Sequence, residues 1–138
     1  VYIAWSATNR SPLIRIPAAS GDAVRMELRC PDAAANPYLT LAAVLRAGLD
    51  GIKRQIVPPG SVDCNIFRMS EQERKERKIE ELPGTLMEAV CCMEKDGFMR
   101  ETLGNHVFEK YIALKKEEWN RYRSQITDWE INEYLNQY

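Results

Sequence analysis

The sequence predicts an α+β fold, with a short antiparallel β portion over about residues 1–30 and a mostly helical portion after it. Three observations carry that expectation. Three short apolar-rich runs crowd the first thirty positions: VYIAWS (1–6), LIRIP (13–17) and VRMELR (24–29). From residue 36 onward apolar residues recur at helical rather than alternating spacing. Two interruptions, VPPGSVDCN (57–65) and LPG (82–84), then cut the helical part into segments, because Pro-Pro-Gly cannot continue a helix.

Each element has its own reason. In VRMELR, Val24, Met26 and Leu28 alternate with Arg25, Glu27 and Arg29, so an apolar face backs a charged one. ASGD (19–22) supplies the turn before it. Asn36 is a good N-cap and Pro37 suits the first helical position, where its missing N–H costs nothing. The helix they open is expected to run to about residue 55. Tyr38, Leu41, Leu45, Leu49, Ile52 and Ile56 would face a core, and Ala43, Ala47 and Gly51 would form a second, small-residue stripe.

SEQERKERK (70–78) reads as a short solvated helix. TLME (85–88) has the capping-box pattern, with Thr85 and Glu88 satisfying each other's free amides. Leu86, Ala89, Val90 and Met93 give that helix its apolar side, and Gly97 its expected terminator. A last long helix should span about 105–125 and bury Phe108, Tyr111, Ile112, Trp119 and Tyr122. The end keeps Trp129, Ile131, Tyr134 and Leu135, too apolar for a disordered tail, and is expected to dock on its own subunit or a neighbour. Residues 1–138 thus read as one fragment: strands over 1–30, helices over 36–126, a docking tail over 127–138. Opening at Val1 in strand-like sequence, the chain reads as a piece of a longer protein.

Composition narrows the function. The 138 residues are 45% hydrophobic and 28% charged with a net charge of −1, an ordinary globular balance without a field for nucleic acid or an anionic membrane. No apolar run approaches the ~18 residues of a membrane span. Cys30, Cys64, Cys91 and Cys92 match no zinc spacing and read as reduced thiols of a cytoplasmic protein, mostly packing residues. His106 is the only histidine, which excludes a histidine-based triad or multi-histidine metal site within the chain.

The chemistry concentrates early. Arg10, Arg15, Arg25, Arg29 and Glu27 lie within twenty residues, on strands that short links would join into one sheet. Guanidinium groups fork to two oxygens of a phosphate or carboxylate, and several around one carboxylate suit an anionic substrate handled with a divalent metal. Spacing by itself favours the plainer alternative, an exposed ladder of cross-strand ion pairs.

Three stretches reverse that ordering: NRSPLIRIP (9–17), RMELRCPDAAANPYLTLAAVLRAGLDGIK (25–53) and VFEKYIALKKEEW (107–119). In order and interval they resemble the C-terminal part of the catalytic domain of a type I bacterial glutamine synthetase, and the tail WEINEYLNQY looks like its Gram-positive branch. The resemblance implies an ATP-dependent ligase that joins glutamate and ammonia through γ-glutamyl phosphate. It further implies Mg2+ or Mn2+, a site between adjacent subunits, and a dodecamer of two hexameric rings.

By matching position, Arg10 would stabilise the transferring phosphoryl group, while Arg15 and Arg25 would contact the nucleotide phosphates. Glu27 would be a ligand of the metal nearer ATP, and Arg29 would hold the glutamate carboxylate. The family's N-terminal domain, its other metal-binding glutamates, its metal-binding histidine and its flap glutamate are not in these 138 residues, so the fragment is expected to be inactive alone. Phe67 stands where enteric members carry an adenylylated tyrosine, which excludes that control at this position. Two alternatives are a related γ-glutamyl ligase using another amine and a non-catalytic helical interaction module on the same scaffold.

Overall fold

The computed structural model describes residues 1–135. They form two compact units, the first Val1–Leu82 and the second beginning at Pro83, each with its own small core.

In the first unit, four strands make one mixed sheet in the order β3-β2-β1-β4. They are β1 (Tyr2–Ser6), β2 (Pro12–Arg15), β3 (Glu27–Leu28) and β4 (Glu80–Glu81). The α+β class holds, but the β portion is not purely antiparallel. β2–β3 and β1–β4 are antiparallel, whereas β1 and β2 run parallel, with Ser6 opposite Arg15. The cause lies in residues 7–11, which carry the chain back to the start of β1 instead of reversing it in a hairpin. The pair Glu80–Glu81 has no strand-like composition, and its place beside Tyr2 and Ile3 is set by tertiary pairing.

VRMELR is also shorter as a strand than its alternation suggests. Only Glu27 and Leu28 pair, while Val24 and Met26, expected behind the charged row, are 66% and 54% exposed. A single partner strand, β2, holds this segment, so pairing stops where β2 ends. The core of the unit lies elsewhere. Val62, Ile66 and Ile79 gather under Tyr2, Ala4 and Met69, so loop residues rather than the central strand face are its centre.

α1 (Pro37–Lys53) begins as expected, with the Asn36 side chain accepting hydrogen bonds from the Tyr38 and Leu39 amides. Its apolar stripe does not face a core: Tyr38, Leu41, Leu45 and Ile52 are each at least 66% exposed. Helical periodicity specifies which face wants burial but not what covers it, and among the described residues nothing does. α2 (Glu71–Glu76) carries a full capping box between Ser70 and Glu73.

The second unit holds α3 (Leu86–Glu94), α4 (Gly97–Arg123) and α5 (Asp128–Tyr134). The Thr85–Glu88 capping box forms as expected. Gly97 does not end α3. The Asp96 side chain accepts from the Phe98 and Met99 amides and opens α4, which makes Gly97 a first-turn residue. Val90, Phe108 and Ile112 form the core, with Leu86, Met93 and Leu103 against it. Arg100 lies 4.4 Å over the Phe108 ring and pairs with Glu109 at 3.2 Å.

Tyr122, expected on the buried side, is 65% exposed. Trp129, Ile131, Tyr134 and Leu135 are exposed as well, so α5 is a capped helix without burial of its aromatics; Asn136 to Tyr138 lie outside the described residues. All four cysteines are free and exposed, which corrects their reading as packing residues: the small cores are filled by larger aliphatic and aromatic side chains.

Gly104 sits inside α4 at φ 73°, ψ 150°, a break just before the position where the sequence places the helix start. A Cβ there would meet nothing within 4 Å, so a substitution is opposed by the backbone alone. Gly104→Ala should lower stability by about 1–3 kcal/mol. Gly48→Ala, in the interior of α1 with the same open space, should raise it by about 0.4–1 kcal/mol. Urea unfolding followed by circular dichroism checks both signs, and equal effects at the two glycines would refute this account.

Candidate functional site

The β2–β3 register sets the site. Arg15 stands opposite Glu27 and Ile14 opposite Leu28, and the Arg29 amide donates to the Leu13 carbonyl at 2.9 Å. Side chains on directly opposed positions emerge on the same face, so Arg15 and Glu27 meet, with Arg15 NH1 3.2 Å from Glu27 Oε2. Arg25, two residues before Glu27, reaches the other oxygen: Nε and NH2 lie 3.1 and 2.9 Å from Oε1. Arg25 NH1 also donates to the Ala23 carbonyl at 3.3 Å, just after a single 3-10 turn over Gly21–Ala23. One carboxylate is therefore held by two guanidiniums, one on each oxygen.

Burial is the largest single influence on Glu27 and opposes its ionisation. The hydrogen bonds from Arg25 and Arg15, followed by their charges, together outweigh it and hold the carboxyl below the ordinary glutamate value of 4.5. Arg15 has a further property. Its Nε is buried and has no hydrogen-bond partner among the described residues. An unpartnered buried guanidinium donor is costly, and an anionic oxygen is the group that would relieve it.

Arg10 lies in the loop joining β1 to β2 and is exposed. Arg29 reaches that loop, its NH1 donating to the Arg10 carbonyl. Thus the structure brings the side chains of Arg15, Arg25 and Glu27 together, and ties Arg29 to β2 through its amide and to the Arg10 loop through the Arg10 backbone carbonyl. The cluster is cationic, two guanidiniums on one carboxylate, with Arg29 and the Arg10 loop alongside. Glu27 is the one carboxylate in it, and no cluster of three or more metal-ligating side chains occurs among the described residues. The donor set fits a phosphate or carboxylate well. It fits a metal only as a single ligand, which other residues must complete.

Sequence reasoning missed the residues that hold the Arg10 loop. Ser6 is fully buried, and its hydroxyl donates to Asp63 Oδ1 at 2.6 Å. Asp63 also accepts from the Ala7 amide at 3.3 Å and from the Ser61 hydroxyl at 2.8 Å. Nothing in a lone aspartate after Pro-Pro-Gly announces a partner 57 residues away.

The chain was compared with known families and proteins. The glutamine synthetase catalytic-domain family model matches residues 1–134. Glutamine synthetase of Clostridium saccharobutylicum is 54% identical over the whole chain, that of Methanosarcina mazei 52% over 98% of it, and that of Staphylococcus aureus 47% over 99%. A solved structure of apo GmaS without ligand superposes on 95% of the chain with a TM-score of 0.76 at 39% identity. The chain belongs to the glutamine synthetase catalytic-domain family. It spans 31% of the Clostridium protein, 30% of the Methanosarcina protein and 29% of the GmaS chain.

Because the carboxyl pKa is lowered in the fold, Glu27 contributes stability that is present above the unfolded value and lost as pH falls through the lowered one. A carbon-detected NMR titration of Glu27 should give a midpoint below 4.5, moved upward by Arg25→Ala. A midpoint at or above 4.5 in the unsubstituted chain would show that the clamp does not form in solution.

Proposed function

We propose that this chain is the C-terminal part of the catalytic domain of an enzyme that forms glutamine from glutamate, ammonia and ATP. The observation that carries the reading is the Arg15–Glu27–Arg25 clamp with the unpartnered Arg15 Nε beside it, on a member of this family. In this reading a glutamate carboxylate oxygen attacks the γ-phosphorus of ATP, and the bond to ADP breaks. Ammonia then displaces phosphate from γ-glutamyl phosphate. Arg15 and Arg25 hold nucleotide phosphate oxygens, and Arg29 holds the carboxylate of glutamate. Arg10 meets charge as it builds on the transferring phosphoryl group, where a preformed cation is most effective.

Glu27 would supply one ligand of a Mg2+ or Mn2+ ion, which neutralises phosphate charge. Its Oε2 accepts from Arg15 and keeps a second lone pair with which it would face the ion, while phosphate oxygens are natural further partners for the guanidiniums. The unburied apolar stripe of α1 and the exposed aromatics of α5 support assembly with further protein, in keeping with a homo-oligomer of hexameric rings and a docking tail. Free, exposed cysteines fit a reducing compartment such as the cytoplasm. Relatives named glutamine synthetase favour ammonia as the amine.

Two assays test this. The 138-residue chain alone should show no glutamine formation, because one carboxylate cannot complete the metal site. A chimaera in which it replaces the matching 31% of the Clostridium enzyme should turn over, and Arg10→Ala in that chimaera should lower kcat by about 100- to 1,000-fold. An inactive but folded, fully assembled chimaera would sink the reading.

A further inference from the structure

The geometry points to Asp63 as the positioning residue for Arg10, acting through the Ser6 hydroxyl on the loop between β1 and β2. The inference rests on the functional reading above, because it takes Arg10 as the group that meets the transferring phosphoryl.

The hydrogen-bond directions carry the argument. An ionised carboxylate can only accept, so the Ser6 hydroxyl hydrogen must point at Asp63 Oδ1. That leaves the lone pairs of Ser6 Oγ facing the other way, where they accept the Thr8 amide at 3.2 Å and the Asn9 amide at 2.9 Å. The Ala7 amide donates directly to the same carboxylate oxygen. Three successive amides before Arg10 are thus committed to one buried hydroxyl and one carboxylate. Hydrogen bonds to an ion are stronger than neutral ones, and Ser6, polarised by its donation, becomes a better acceptor. Ser6, Ser61 and the Ala7 amide, against a smaller opposing effect of burial, hold the Asp63 carboxyl below its ordinary range, so it is ionised at neutral pH.

The other side of Arg10 is tied to the same segment. Asn9 Nδ2 donates to Ser11 Oγ at 2.7 Å and to the Cys64 carbonyl, and the Ser11 amide returns to Asn9 Oδ1 at 3.1 Å. Ser11 Oγ accepts the Ile66 amide at 3.3 Å, and Ile66 is completely buried. Residues 61–66 therefore grip the loop on both flanks of Arg10. They are anchored in turn by Ile66 in the core and by the Val62 amide, which donates to the Trp5 carbonyl at 2.9 Å. Asp63 touches neither reacting atoms nor Arg10 itself. What it sets is the path of the backbone that carries Arg10.

A positioning role predicts a loss that falls on turnover and disappears when Arg10 is gone. In the chimaera, Asp63→Ala should lower kcat by about 10- to 100-fold while KM for ATP and glutamate changes less than about 3-fold. Asp63→Asn keeps an acceptor at Oδ1 and should recover kcat to within about 3-fold of the unsubstituted protein. On an Arg10→Ala background, Asp63→Ala should cost less than about 2-fold further. Hydrogen exchange should show the Thr8 and Asn9 amides losing protection in Asp63→Ala.

Should that variant not fold, Asp63→Glu, which lengthens the arm by one methylene, is read in the same way. An unchanged kcat, a kcat and affinity falling together, or a full additional loss on the Arg10→Ala background would each overturn the inference. Turnover by the unsubstituted chimaera tests the functional reading separately, so the two failures are distinguishable.

Discussion

The first unit depends on Ser6. Its carbonyl accepts the Ile16 amide at 2.9 Å and so extends the pairing of β1 and β2 past Arg15, while its buried hydroxyl joins the loop before Arg10 to the segment around Asp63. A hydroxyl in that position has one donor hydrogen and two acceptor sites, and all three are used. Removing it would leave a carboxylate and two amides short of a partner next to the core, which is costlier than losing the bond alone. The sheet that carries Arg15 and Glu27 and the loop that carries Arg10 are thereby parts of one hydrogen-bonded frame.

That frame explains how a two-residue strand can position a charged cluster. β3 contributes only Glu27 and Leu28 to the sheet, too little to hold three long side chains by itself. The cluster is braced by its own charges: Arg15 and Arg25 take one oxygen of Glu27 each, and Arg29 reaches back to the Arg10 carbonyl. Such bracing is conditional. It holds while Glu27 is ionised, and under the proposed function the guanidiniums would also take contacts to phosphate. Arg15 Nε, without a partner among the described residues, marks the direction in which the bracing is incomplete.

The two faces left open on the chain follow a different logic. The α1 stripe and the α5 aromatics are patterned for burial, yet they remain exposed. The chain spans 31% of its Clostridium relative, and among the described residues no surface covers either face. Amphipathic pattern is a local property, whereas its satisfaction requires another surface.

Much of the local structure was legible. The caps at Asn36 and Thr85, the helices they open and the loop after Pro58 follow from side-chain hydrogen bonding and from ring geometry, which act within a few residues. The charged row Arg25, Glu27, Arg29 was equally visible, because alternation places side chains on one face. By itself the amino-acid sequence determined these elements, the arginine-rich row and the family pattern that gives the row a meaning. Only the tertiary structure decided that β1 and β2 run parallel, that Glu80 and Glu81 form a strand, and that Asp63 reaches Ser6. Those three depend on contacts between residues distant along the chain. No local propensity encodes such contacts, and the backbone and buried hydroxyl groups they satisfy become visible only once the chain has closed on itself.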